Sequence, residues 1–257
     1  MRGVSLVGTM GTRLDGQTAV VIGGTTGIGR AIAEALDEAG ADVVPTSRTE
    51  SSVREAAEAV DCDVVCPTDV TDRESVEAFF ERVEREVGPI NVLVNSAGVI
   101  QESQPVADLT DEEWELILDT NLYGVFIGSQ LVPEYMPEEG NRAILNVSSM
   151  NGDQAVKGLT AYVASKFGVK GLTQNFALEY AGDDIRVNAI GPGYVETRQN
   201  EAALNDPDTK AAIHGRTPLS RYANLDEVAV SALYMVSPAA SFITGETLLI
   251  DGGFSLK

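Results

Sequence analysis

The sequence predicts a single doubly wound α/β domain over residues 1–257, with a seven-stranded parallel sheet and helices on both faces. Two observations carry this. Short β-branched runs alternate with amphipathic segments along the whole chain, and most of those runs are apolar on both faces. Strands of that kind need cover on both sides, and parallel neighbours need a crossover that a helix supplies.

The first strand is TAVVIG (18–23), followed by the helical GIGRAIAEALDEAG; DVVPTS (42–47) and DVVCP (63–67) follow as two further strands. TDRESVEAFFERVEREVG reads as a helix leading to NVLVN (91–95), and TDEEWELILDTNLYGVFIGSQLV as a long helix leading to AILNVS (143–148). LTAYVASKFG (159–168) sets Tyr162 and Lys166 one turn apart on one helix face. IRVNAI (185–190) and TLLID (247–251) complete the sheet, and no linker marks a second domain. In such sheets ligands sit at the carboxyl ends of the strands. Chemistry is therefore sought at VIGGTTGIG, PTSRT, PTDVTD, VNSAGVI, LNVSSMNG and AIGPGYVET.

Composition removes several classes of partner. Eighteen Lys and Arg against 39 Asp and Glu give a formal net charge of −21, spread over DEAGAD, EAAEAVDCD, ERVEREVG, LTDEEWE and NDPD. Such a surface repels nucleic acid and anionic membranes, so neither is an expected partner. It resembles the dispersed acidity of halophilic proteins, in which salt screens self-repulsion; the alternative is an acidic protein of ordinary habitat. No apolar run approaches the ~18 residues of a membrane span, and MRGVSLVGTMGTRLDGQ lacks a secretory core with a cleavage site. A soluble cytoplasmic protein is expected. Cys62 and Cys66 have neither zinc nor redox spacing, and the single histidine, His214, argues against a histidine-rich metal site, so no metal is expected.

After the first strand, Gly23, Gly27 and Gly29 fall at the spacing GxxxGxG and open a helix. Glycines there permit a tight turn and let a pyrophosphate approach free N–H groups of a helix N-terminus, the arrangement of a Rossmann-type dinucleotide site. A turn that merely packs strand on helix is the bland alternative. At the end of the second strand, an acidic residue would bond the ribose hydroxyls of NAD(H); the sequence has Ser47 and Arg48 instead, with Glu50 close by. Arg48 offers a fork of donors to a 2′-phosphate, which favours NADP(H) and leaves NAD(H) possible.

The set GxxxGxG (23–29), NSAG (95–98), SSMNG (148–152), YVASK (162–166) and PGYVET (192–197) resembles the short-chain dehydrogenase/reductase family in its classical subgroup, over essentially the whole chain to ITGETLLIDGG. The resemblance implies four catalytic residues: Tyr162 and Lys166 of YxxxK, Ser149, thirteen positions before the tyrosine, and Asn121 of DTNLYG. It also implies cofactor contacts at Thr25 and Ile28 of the glycine loop, Asp69 and Val70 beside the adenine, Asn95, Ala97 and Gly98 at the central strand, and Pro192, Gly193, Val195 and Thr197 beside the nicotinamide. Ser96 and Ile22 depart from the family's more usual Asn and Thr. A homotetramer, with helices near 111–133 and 160–181 between subunits, is implied in the same way.

Ketone reduction needs a hydride donor, a proton donor and a group to steady the developing alkoxide. A phenol at its ordinary pKa of about 10 is a poor base near neutrality, and a neighbouring ammonium is expected to lower it. Tyr162 then serves as general acid in reduction and base in oxidation, tuned by Lys166, while Ser149 bonds the carbonyl oxygen and Asn121 orders a water. As the resemblance implies, Lys166 also holds the nicotinamide ribose.

Residues 195–216 match the family's lid, and Gln101, Asn151, Gln154, Tyr194, Arg198 and Gln199 are candidate pocket residues. Their polarity points to a small-molecule carbonyl or alcohol such as a sugar or sugar acid. A 3-oxoacyl thioester is the alternative, and a nucleotide-sensing protein without chemistry is the rival from another class, since one fold hosts many functions. An interaction scaffold has no dedicated segment to support it.

Overall fold

The computed structural model describes residues 11–197 and 204–256. One parallel sheet runs in the order β2-β1-β3-β4-β5-β6, formed by β1 (Thr18–Ile22), β2 (Asp42–Thr46), β3 (Ile90–Asn95), β4 (Ala143–Val147), β5 (Arg186–Pro192) and β6 (Thr247–Ile250). The register pairs Val20 with Val44 on one side and with Leu93 on the other. The order reverses at β1, so the crevice between β1 and β3 is the topological switch point.

Period-two alternation divides the core. Ala19, Val21, Val43, Val92, Val94 and Leu145 face one layer, made by α1 (Gly27–Glu38) and by Val228, Ala232 and Leu233 of the helix that precedes β6. Val20, Ile22, Val44, Leu93, Ile144 and Val187 face the other. There α3 (Arg73–Glu86) buries Val76, Phe79, Phe80 and Val83 at i, i+3, i+4 and i+7, the stripe of a core-facing helix. The remaining α-helices among the described residues are α2 (Glu50–Ala59), α4 (Asp111–Leu118), α5 (Gly124–Leu131), α6 (Thr160–Tyr180), α7 (Pro207–Arg216) and α8 (Leu225–Val236), the helix of the first layer that precedes β6.

The sheet has six strands among the described residues, not seven: DVVCP (63–67) is extended coil beside the outer strand β2. Pro45 lies in β2 and has no N–H for a ladder on its outer side. The Cys66 carbonyl is taken by the Thr46 hydroxyl at 2.6 Å, and the backbone meets β2's end where Thr68 N donates to Ser47 O at 2.9 Å.

The long helix expected over 110–132 is interrupted. A π-helical turn, Asp119–Tyr123, separates α4 from α5, with Gly124 N bonding Asp119 O five residues back. Such turns insert one residue into the helical ladder and are frequent at functional sites; Asn121 lies within this one. Polar groups knit the strand ends to the helices. Asn95 Nδ2 donates to Asn146 Oδ1 (2.9 Å) and Ser129 Oγ (3.1 Å), and Asn146 Nδ2 donates to Thr173 Oγ1 (3.0 Å). All are buried, so each bond also avoids the cost of an unpaired buried group.

Candidate active site

At the switch point Gly23 takes φ +79°, and a Cβ there would lie 2.7 Å from the Ala97 Cα. Only glycine fits the turn between β1 and α1. A Cβ on Gly29 would collide with the Gly23 carbonyl, whereas above Gly27 there is open space. The α1 N-cap, Thr26, makes no side-chain cap bond, and the first turn carries no acidic residue. Free N–H groups beneath an open cradle suit a pyrophosphate. Thr25 is buried and Ile28 packs on the core beside them. Alongside, Ile22, Val70, Asn95, Ala97, Thr120, Gly124 and Val125 line a shallow, mostly apolar hollow.

Ser47 and Arg48 follow β2, with Arg48 exposed. The Arg48 charge reaches Asp69 and contributes to holding its carboxyl below the usual range, after the larger effect of the hydrogen bond from Thr71 N. Asp69 thus closes its own turn, accepting from Thr71 N at 2.9 Å and Thr71 Oγ1 at 2.8 Å.

Across the crevice, four polar groups converge on the ends of β3 and β4. Lys166, on α6, is buried with its Nζ donating to Val147 O at 2.9 Å and lying 5.7 Å from the Tyr162 ring centre. Ser149, just past β4, accepts from Asn151 N at 3.1 Å and faces the Tyr162 phenol closely enough to draw its pKa down. Asn121 clamps the loop that leaves β3: its Oδ1 accepts from Val99 N (2.7 Å), and its Nδ2 donates to Val99 O (2.8 Å) and Ser165 Oγ (3.1 Å). Gly98 lies between; a Cβ there would sit 3.3 Å from Asn121 Oδ1 and 3.6 Å from Lys166 Nζ.

The electrostatics differ from the sequence expectation in one respect. Burial is the dominant influence on Tyr162 and pushes its phenol up, with Ser149 only partly offsetting it. Burial also lowers Lys166, to about 8. Both shifts have one physical cause, the cost of charge away from water. In the protein alone, a weakened ammonium faces a neutral phenol.

The other candidates divide. Asn151 is buried and Gln154 half-buried after Ser149, and Asn151 Oδ1 and Gln154 Nε2 lack a hydrogen-bond partner among the described residues. Gln101 is brought to α6 rather than left free, accepting from Tyr162 N at 3.1 Å. Tyr194 stands apart: its ring meets Phe254 edge-on at 5.3 Å, in a cleft with Thr217, Leu219 and Arg221. Pro192 ends β5, Gly193 N donates to Ile250 O at 2.9 Å, and Val195 bridges to Ala223 with Thr197 just beyond. Within residues 195–216, α7 is capped by Asp206 and its His214 ring meets Tyr222; Arg198 and Gln199 lie outside the described residues.

No motif names Ser165, Asn146 or Thr173. Asn146 carries a signal in the sequence, a polar residue inside the otherwise apolar strand AILNV; Ser165 and Thr173, on α6, carry none.

A glycine cradle at the switch point with a buried lysine, serine and asparagine and a half-buried tyrosine across from it defines a dinucleotide-dependent oxidoreductase scaffold. The model of the family described as enoyl-(acyl carrier protein) reductase matches residues 23–255. Among curated relatives, 3beta-hydroxysteroid dehydrogenase 2 of Eggerthella lenta is 37% identical over 250 residues, covering 94% of this chain and 96% of its own. The 3-oxoacyl-(acyl-carrier-protein) reductase FabG of Thermotoga maritima is 38% identical over 248 residues, covering 94% and 98%. Of solved structures, a gluconate 5-dehydrogenase from Burkholderia cenocepacia J2315 in complex with NADP and tartrate superposes with a TM-score of 0.90 at 33% identity, covering 96% of this chain and 98% of that one. The chain belongs to the short-chain dehydrogenase/reductase family, NAD(P)-dependent oxidoreductases acting on alcohol and carbonyl groups.

Proposed function

We propose that the protein is an NADP(H)-dependent dehydrogenase/reductase interconverting a ketone and a secondary alcohol on a small hydroxylated substrate, a sugar or sugar acid. The observation that carries the substrate class is two buried amide atoms without a hydrogen-bond partner among the described residues, Asn151 Oδ1 and Gln154 Nε2, in the segment that follows Ser149. Buried polar atoms are normally satisfied, and an acceptor and a donor left over there suit the hydroxyls of a polyol chain. The tartrate in the Burkholderia cenocepacia structure, itself a hydroxy acid, agrees with this reading.

In this assignment Tyr162 gives a proton to the carbonyl oxygen in reduction and takes it back in oxidation, and its raised pKa suits the donor role. Ser149 donates a hydrogen bond to that oxygen as charge develops on it. Lys166 holds the nicotinamide ribose and, once protonated beside the phenol, favours its ionised form. Asn121 uses its side chain to fix Val99 and Ser165, which leaves its backbone in the π turn as the group that can order a water. Gly23, Thr25, Gly27, Ile28 and Gly29 receive the pyrophosphate. Arg48 with Ser47 takes the 2′-phosphate, and Asp69 and Val70 flank the base. Asn95, Ala97 and Gly98 border the cofactor, and Pro192, Gly193, Val195 and Thr197 its amide. Bound NADP(H) supplies or accepts the hydride.

Exposed Trp114 and Leu116 on α4, and Phe167 and Leu178 on α6, support a homotetramer built on those helices, as surface apolar groups of that size favour burial. We read it as a soluble cytoplasmic assembly. The similarity to the FabG reductase keeps 3-oxoacyl thioesters as the second reading. Initial rates on sugar acids, polyols and acetoacetyl thioesters, each with both cofactors, separate the two. Turnover confined to the thioester would overturn the sugar-acid assignment.

A further inference from the structure

The first turn of α6 lacks a cap of its own. Leu159 stands at the N-cap with no side-chain bond, and no acidic residue lies in the first turn. The free N–H at the third position belongs to Tyr162, and its acceptor comes from 61 residues away, Gln101 Oε1 at 3.1 Å. The same amide's Nε2 donates at 3.3 Å to the carbonyl of Gly158, just before the helix. Gln104 N binds that carbonyl as well, at 3.2 Å. Gly158 takes φ +86° with the hydroxyl of Ser103 pressed on it, so the loops 99–104 and 156–159 are closely joined. Val99, two residues before Gln101, is held through both backbone groups by Asn121.

We propose that Gln101 is a positioning residue for the proton-transfer step: it supplies the missing N-cap of α6 and thereby fixes Tyr162, linking that residue through Val99 to the π turn at Asn121. The proposal rests on the reading of Tyr162 as acid and base. Both ends of the Gln101 amide are committed inside the protein and its side chain is buried, so it is spent on geometry and not on substrate. A capping acceptor anchors the first turn of a helix, and small displacements of a reacting group cost large factors in rate.

Two variants test this. Q101L keeps the volume and removes both bonds; Q101E keeps an acceptor for Tyr162 N. In Q101L, amide hydrogen exchange at the start of α6 is expected to accelerate by about tenfold or more, and kcat on the best substrate of the panel above to fall by about tenfold or more. Substrate KM and NADPH affinity should stay within about twofold of the parent. Q101E should restore both the protection and most of kcat. It should also move the pH limb for oxidation upward, because a carboxylate near the phenol disfavours phenolate. In a Tyr162→Phe background Q101L should change residual turnover little, since its effect passes through the phenol. A raised KM with unchanged kcat would make Gln101 a substrate contact and overturn the proposal. So would parental exchange and turnover in Q101L, loss of NADPH binding in parallel with activity, or a Q101E no better than Q101L. Exchange protection is read without any substrate, so failure of the Tyr162 assignment, seen as parental turnover in Tyr162→Phe, is distinguishable from failure of the cap.

Discussion

Lys166→Met replaces a buried cation by an apolar side chain of similar reach, and its effect on stability should reverse with pH. Burial holds the ammonium at about 8 against an ordinary 10.5, which at ~1.4 kcal/mol per pH unit is ~3 kcal/mol of destabilisation carried at pH 7. Removing it also forfeits the bond to Val147 O, worth ~1 kcal/mol. The net expectation at pH 7 is a variant more stable by ~2 kcal/mol, a rise in melting temperature of ~4–8 °C for a chain of this size. The folded pKa is the lower one, so between pH 8 and 10.5 the unfolded chain binds more protons and the parent gains stability with rising pH. The variant has no such gain. The difference in melting temperature should therefore shrink across that window and end slightly in the parent's favour. Thermal melts of both proteins without cofactor, from pH 7 to 10.5, make the comparison. A variant less stable at pH 7, or a difference independent of pH, would refute the reasoning. Turnover is expected to fall by ~100-fold or more, so this position trades stability for activity.

Arg48→Ser should lower the ratio of kcat/KM for NADPH over NADH by about tenfold to a hundredfold, the loss of one charge-assisted phosphate contact; an unchanged ratio would place the 2′-phosphate elsewhere. Gly29→Ala puts a methyl into the Gly23 carbonyl, and is expected to weaken NADPH binding by at least about tenfold in a fluorescence titration, the turn having no room to shift. With 39 acidic against 18 basic residues, the melting temperature should climb as KCl is raised from low to molar concentration, because screening relieves self-repulsion. A flat response would leave the chain merely acidic.

The alternation of strands and helices was legible because buried parallel strands show it directly: TAVVI, NVLVN and AILNV are mostly apolar runs, and each appears within a strand. DVVCP has the same composition and is coil. Composition reports burial, and Val64 is indeed buried, but ladder formation depends on donors that Pro45 withholds from the outer edge of β2. At the site, motif spacing named Tyr162, Lys166, Ser149 and Asn121, which lie near one another at the ends of β3 and β4. What spacing could not show is burial, which raises the phenol and lowers the ammonium, or the long-range partner of Tyr162 N, set by loop geometry 61 residues away. The π turn at 119–123 was hidden for a related reason: DTNLY has nothing in its residue types to distinguish one extra backbone step from an ordinary helix.

The central claim is that the Tyr162 phenol moves the proton. Tyr162→Phe removes one oxygen and leaves the glycine cradle and Lys166 in place. NADPH affinity is expected to stay within about twofold of the parent and turnover to fall by ~100-fold or more. A purified, folded Tyr162→Phe protein that reduces substrate at the parental rate would contradict it.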